Sequence, residues 1–232
     1  TEWNLATNPR LTDPYGTIAV PDIQTNRATV PRPASGNAWS VAWGTGGAGT
    51  TAYMYQLIKA TWTTAPTGGA CRVRLNLSTG VSVIPVTPGE TITVSADIAS
   101  NRLARITVDF NLDASWVSSA TLSWGAVSTD VANPSRLAWT GTIPANVDRV
   151  ILFAEAQSPG VGDWIAAGSL RVGEGSEYFD GDTVSPDPAQ VYGWAGTTNA
   201  STSYLRHAAA ASGTANRVRV LGNLNASFSH PA

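Results

Sequence analysis

The chain holds two histidines, His207 and His230, both near its C-terminal end and neither beside a G-x-S-x-G elbow. A serine or cysteine nucleophile needs a base next to it, so acyl transfer has no candidate constellation. Glycoside hydrolysis needs two carboxylates across a cleft. Asp97, Asp109, Asp113 and Glu155 fall on or near strand-like runs, but no spacing sets two of them at a defined separation, and they read as solvent-facing positions. Gly44-Thr45-Gly46-Gly47-Ala48-Gly49 has the form G-x-G-x-x-G. A dinucleotide site would need a helix next and an acidic residue about 20 positions on. Residues 60–80 contain neither Asp nor Glu, so a mobile glycine loop between strands is expected. Asp180, Asp182 and Asp187 could gather oxygens around Ca²⁺, although the twelve-residue loop pattern and its spaced Glu are missing. Asx-type turns explain the same residues, and no other cofactor is suggested. The single cysteine, Cys71, excludes an internal disulfide and a Cys-based metal site; it reads as a small buried hydrophobe.

Aromatic side chains offer a different chemistry. There are 9 Trp, and indole faces stack on the apolar C–H faces of sugar rings while amides and carboxylates fix the hydroxyls. Burial in a core is the competing use of such rings. Trp139 and Trp164 stand within strongly apolar runs and are expected in the core. Trp62, Trp116 and Trp124 stand at strand ends beside Thr, Ser and Gly and are expected to be exposed. Tyr53 and Tyr55 share a face if their segment is extended. These five rings are the candidate carbohydrate-binding residues, with packing or subunit contact as the alternative.

The elements that would position them read as strands. The chain carries 22 Gly and 14 Pro over its whole length, which cut it into short apolar segments, as in an all-β sandwich. Arg72–Ser78 alternates, with Val73, Leu75 and Leu77 on one face and Arg72, Arg74 and Asn76 on the other. Ile92–Ile98 and Ala104–Leu112 alternate in the same way. Arg136–Gly141, Arg149–Ala156 and Trp164–Val172 are further strands, the second apolar enough to be central. Ala38–Trp43 and Tyr53–Trp62 are expected as strands too. From Glu174 the pattern breaks, which places a boundary near residue 178. Residues 1–178 are expected to form the sandwich. Residues 179–232 form an irregular extension, with Val191–Trp194, an Ala-rich patch at Ala208–Ala211 and a strand at Arg217–Leu221, packing on the sandwich or on a neighbouring subunit.

Charged residues make up only 13%, about half the usual share. The formal charge of −2 gives no basic footprint for nucleic acid. The charge is unevenly spread: from Asp22 to Glu90 there are five cations (Arg27, Arg32, Lys59, Arg72, Arg74) and no intervening acid, whereas residues 90–232 carry −5. Two readings stand: solvated faces, or a head-to-tail contact between copies. Lys59 is the only lysine, which reads as codon bias. No stretch approaches the roughly 20 apolar residues of a membrane span, so no membrane insertion is expected. The opening residues lack the charged-then-apolar pattern of a signal peptide and read as a native terminus after loss of Met.

Several runs resemble, in order, the jelly-roll modules related to cellulose- and xylan-binding domains that are appended to minor tail proteins of actinobacteriophages. N-L-A-T-N-P-R-L-T (4–12) is similar to the family's opening, V-T-P-G-E-T-I-T-V-S-A-D-I (86–98) to its turn and strand, and R-L-A-R-I-T-V-D-F (102–110) to its next strand. R-L-A-W-T-G-T-I-P-A-N-V-D-R-V-I-L-F (136–153) resembles its strand, Pro-Ala turn and strand. L-R-V-G-E-G-S-E-Y-F-D-G-D-T (170–183) resembles its closing strand, and Y-G-W-A-G-T-T-N-A-S-T-S (192–203) the Trp-Gly-rich continuation in phage minor tail proteins. Leu11-Thr12 stands where the family carries Phe-Glu, and Ala167 where it carries Asp, two departures that weaken the structural calcium site that the resemblance implies. The resemblance implies an all-β, two-sheet antiparallel jelly-roll β-sandwich without a catalytic role.

The expected function is that of a non-catalytic bacteriophage virion protein of the minor tail or tail-tip type. Its jelly roll would serve host-surface glycan contact or particle assembly, with other virion proteins and further copies of itself (a homo-oligomer) as partners. Two alternatives stay open: a capsid decoration protein with no sugar ligand, and the binding module of a secreted polysaccharide-degrading enzyme.

Overall fold

A computed structural model of the protein describes residues 10–13, 16–19, 24–33, 39–75, 83–113, 115–187 and 190–207. The fold is all-β, with sixteen strands and no helix among these residues. In chain order they are β1 (Arg10–Asp13), β2 (Gly16–Ala19), β3 (Gln24–Asn26), β4 (Ser40–Thr45), β5 (Ala48–Met54), β6 (Leu57–Thr64), β7 (Gly68–Leu75) and β8 (Ile84–Pro85). There follow β9 (Thr91–Ser100), β10 (Ala104–Leu112), β11 (Ser115–Thr121), β12 (Ser135–Thr142), β13 (Arg149–Ala156), β14 (Trp164–Gly173), β15 (Gln190–Trp194) and β16 (Ser203–His207).

Two antiparallel sheets make the jelly-roll sandwich. The first runs β11-β10-β13-β7-β4, with β8 also pairing β13, and the second runs β12-β9-β14-β6-β5. Their inner faces follow from period-two alternation. Val73, Ile106, Val108, Leu152 and Ala154 from the first sheet meet Ile92, Val94, Ile98, Ile165 and Val172 from the second in one buried cluster. Strand β14 keeps its apolar residues inside through a bulge between Gly168 and Arg171. The extra residue returns Leu170 and Val172 to the core and turns Arg171 to the other face.

The segment from β4 to β7 is one long hairpin folded over both sheets. Ser40 pairs Arg74 and Thr45 pairs Gly68 in the first sheet, while Ala48 pairs Thr64 and Met54 pairs Leu57 in the second. The expected single strand Tyr53–Trp62 is therefore corrected to two strands joined at Tyr55-Gln56, whose positive φ values of 50° and 62° make a two-residue turn. The 44–49 glycines are also corrected from a mobile loop to a tight crossover between sheets. A Cβ on Gly49 would lie 2.3 Å from the Trp43 ring, and Gly44 has φ 81°. Strand β5 follows them, which rules out the helix a dinucleotide site requires.

A third sheet, β15-β16-β3, joins the extension to a strand from the front of the chain. Residues 174–180 lie against the outer face of the second sheet. Arg171, 2% exposed, donates to the Glu177 carbonyl at 2.6 Å and to Gln24 Oε1 at 3.0 Å and stacks on Phe179. Its burial pushes the guanidinium down to about 10. Arg136 donates to the Ser176 carbonyl and to Asp97. Strands β1 and β2 pair only with each other among the described residues, and residues 4–9 of the opening run implied by the resemblance lie outside them. Ala208–Ala211, Arg217–Leu221, Asn76, Leu77, Ser78 and His230 lie outside the described residues.

The uneven charge is largely resolved inside the chain. Arg27 holds Glu90 at 2.7 Å, Arg32 holds Asp180 and Asp182, Arg72 stands 3.7 Å from both Asp109 and Glu155, and Lys59 lies over the Trp164 ring. The Arg27 hydrogen bond keeps the Glu90 carboxyl below its ordinary value, against the opposing effect of burial, and the Thr87 N–H adds to it. A depressed folded-state value stabilises the fold above the ordinary carboxylate range, and that contribution is lost as acid titrates through the folded value. Glu90→Gln is expected to cost about 1 kcal/mol at neutral pH, limited by solvent at Arg27, with the difference shrinking as acid protonates the carboxylate below its ordinary range. Thermal melts of both proteins across that range check it.

Candidate functional site

The outer face of the first sheet is not overlaid by another strand among the described residues, in contrast to that of the second. Its outward positions come from three neighbouring strands. Glu155 of β13 pairs Arg72 of β7 on one side and Arg105 of β10 on the other, and the next row reads Arg74, Phe153, Thr107. Arg105 donates Nε–H to Glu155 Oε2 at 2.7 Å, and its guanidinium lies 4.1 Å from the Trp124 ring centre. Arg72 sits 3.6 Å above the Phe153 ring. Asp109 accepts from Ser119 Oγ at 2.6 Å, and Ser119 accepts from Trp116 Nε1–H at 3.0 Å. One polar network thus crosses the face from Trp116 to Trp124.

At the Trp124 end the network borders a groove of about 510 Å³, within the range of small-ligand sites. Arg105, Trp124, Glu155, Gly68, Cys71 and Ser158 are among its lining. Trp124 is held there because residues 122–125 continue the edge of the sheet: Leu122 N–H donates to the Ile106 carbonyl, and Gly125 and Ala104 exchange hydrogen bonds. The Cys71 thiol is buried, and burial pushes its pKa up, with the Glu155 charge acting in the same direction.

The five aromatic candidates separate. Trp116, 64% exposed, and Trp124, half-buried, share the outer face. Tyr53 and Tyr55 are exposed as expected but sit at the end of the β5–β6 hairpin, in the other sheet, and the turn breaks their common face. Trp62 is corrected: it is wholly buried between the sheets, because Thr61 and Thr63 take the outward positions of β6. Trp139 packs on the core, 5.9 Å from Phe110. Trp164 is corrected from the core to the outer face of the second sheet, where it packs on Leu57, Ala99 and Ala166, since Ile165 and Ala167 occupy the inward positions.

The calcium expectation at Asp180, Asp182 and Asp187 is also corrected. Asp180 takes Arg32 Nε at 2.8 Å and the Tyr178 hydroxyl at 2.5 Å, and Asp182 takes Trp194 Nε1–H at 3.0 Å together with Arg32. The Trp194 and Arg32 contacts hold the Asp182 carboxyl below its usual range. Asp180 Oδ1 also accepts the Asp182 N–H, the Asx-type alternative. These carboxylates hold the extension in place, and no group of metal-ligating side chains is present among the described residues.

No family model and no curated protein matches the chain. Solved structures similar to it include carbohydrate-binding modules and a phage protein. One described as a CBM4 shares 16% identity at TM-score 0.43 and covers 64% of this chain and 97% of that one. A mutant family 29 carbohydrate-binding module shares 18% at TM-score 0.39, covering 72% and 99%. The enzymatically active domain of a bacteriophage CBA120 tailspike shares 12% at TM-score 0.38, covering 62% of this chain and 21% of that one. Likeness at this level carries no conclusion about ligand or activity.

Sequence reasoning placed Arg72, Arg74, Arg105 and Asp109 on outward faces but did not bring them together. The missing signal is strand order, since β13 inserts between β7 and β10 across long separations.

Proposed function

We propose that this chain is a non-catalytic glycan-contacting module, and that the outer face of the first sheet is where a saccharide lies. The observation that carries the reading is the groove in which Trp124 is braced by Arg105, itself fixed by Glu155. An indole held at a set angle beside charged hydrogen-bonding groups is what binding a pyranose requires. Trp116 extends the same face toward a longer chain, while Tyr53 and Tyr55 would make a separate contact. The ordered sequence resemblance to appended tail-protein modules supports a place in a phage particle, at the tail tip, among other virion proteins and further copies of itself.

Trp124→Ala is expected to lower affinity for host-envelope glycans about tenfold, the loss of one stacked ring, with the melting temperature unchanged. A glycan array or cell-wall pull-down with wild type and variant tests this. Binding that survives the change, or turnover of the bound polysaccharide, refutes the reading. Imaging of intact particles separates a tail position from capsid decoration.

A further inference from the structure

Of the five cations between Asp22 and Glu90, four are matched: Arg27, Arg32 and Arg72 by carboxylates, Lys59 by an aromatic ring. The Arg74 guanidinium makes no hydrogen bond or ion pair among the described residues, and its Nε is out of reach of water without a partner. It stands outward on the face described above, half-buried, between Ser40 on β4 and Phe153 on β13. Across Phe153, the Thr107 hydroxyl is likewise buried and unpartnered. Both atoms are enclosed by the protein, so on this half-buried side chain the terminal nitrogens, which also make no hydrogen bond, are the donors that a bound group can reach. The nearby carboxylates do not serve Arg74: Glu155 binds Arg105, Asp109 takes Ser119, and both share Arg72. Burial and the Arg72 charge both lower the Arg74 pKa, with Asp109 opposing them, so an added anion would relieve an existing cost.

We propose that Arg74 receives an anionic group of the bound glycan, a carboxylate or a phosphate on a sugar unit, and so makes this face selective for acidic polysaccharide. The inference rests on the glycan reading above. A guanidinium offers two parallel N–H donors that match either group. The chain as a whole is at −2, so general attraction does not draw a polyanion to it and binding must come from a local site.

The test is affinity electrophoresis of the full chain in gels containing polygalacturonate, its fully methyl-esterified neutral form, or poly(glycerol phosphate). The wild type is expected to be retarded more by at least one polyanion than by the neutral polymer, and less so as salt is raised. Which polyanion retards it distinguishes carboxylate from phosphate. Arg74→Gln is expected to weaken polyanion binding about tenfold while leaving neutral-polymer retardation in place, and Arg74→Lys to restore it in part. Equal retardation by acidic and neutral polymers, or polyanion binding unaffected by Arg74→Gln, overturns the inference and leaves the glycan reading standing. Retardation by none of the three overturns both. The Lys variant, which keeps the charge at a similar volume, separates loss of the site from loss of the fold.

Discussion

Trp62→Ala is expected to remove about 3–5 kcal/mol of folding stability, the largest effect of any single aromatic truncation in this chain. The ring is fully buried, and three contacts hold it beyond its apolar surface. Its Nε1–H donates to the Trp43 carbonyl at 3.0 Å, its ring meets Trp43 edge-to-face at 5.4 Å, and its backbone N–H binds the Asp163 carbonyl. It stands where the folded hairpin crosses between sheets, so truncation opens a void at the point both sheets share. Urea or thermal denaturation measures the loss. Trp62→Phe keeps most of the volume but leaves the Trp43 carbonyl with only the weak Cys71 thiol donor at 3.8 Å, and is expected to fall between the wild type and Ala. An Ala variant as stable as the wild type would mean that the ring lies outside the core.

Asn26→Ala is the second, expected to cost about 2–4 kcal/mol. The side chain is wholly buried and uses its full hydrogen-bonding capacity. Nδ2 donates to the Leu170 and Phe179 carbonyls at 2.9 and 3.0 Å, and Oδ1 accepts from the Val172 and Ala28 N–H groups at 3.0 and 3.1 Å. One residue therefore joins β3, the bulged end of β14 and the segment after it. Removing it leaves backbone groups of three segments without partners in a dry site. Asn26→Asp is expected to be as damaging, because two donors become an anion facing two carbonyl oxygens. Hydrogen exchange checks the location: protection should fall first at Ala28, Val172 and the third sheet, with β9 and β10 retained.

Where hydrophobic alternation was clean, the sequence was sufficient. Ile92 to Ile98 and Ala104 to Phe110 form the strands their patterns require, the continuous apolar run Arg149 to Ala156 forms the central strand expected of it, and the jelly-roll class follows from them. The turn inside the Tyr53–Trp62 stretch is not legible in the sequence because it has no glycine; Tyr55 and Gln56 adopt positive φ without the residues that normally announce it. Trp62 and Trp164 were exchanged between core and surface for a related reason. Neighbouring threonines suggested exposure for the first, and an apolar run suggested burial for the second. Strand register, not local composition, decides which side of a sheet a residue takes. The same holds for the site. Trp116 and Trp124 were found from local signals, but the arginines and carboxylates around them come from strands dozens of residues apart.

The third sheet sets when this chain can finish folding. Thr25 pairs Tyr204, so that contact closes a loop spanning most of the protein, and the entropy of such closure rises with the logarithm of loop length. The folded hairpin and the β10–β11 pair need only short-range closures and can form early. The clasp between the two ends of the described chain can gain stability only after β14 offers the carbonyls that Asn26 binds. Assembly of the sandwich thus precedes the pairing of β3 with β16, whereas the segment after Gly173 can dock as soon as Ser95, Arg136 and Arg171 of the second sheet are in place.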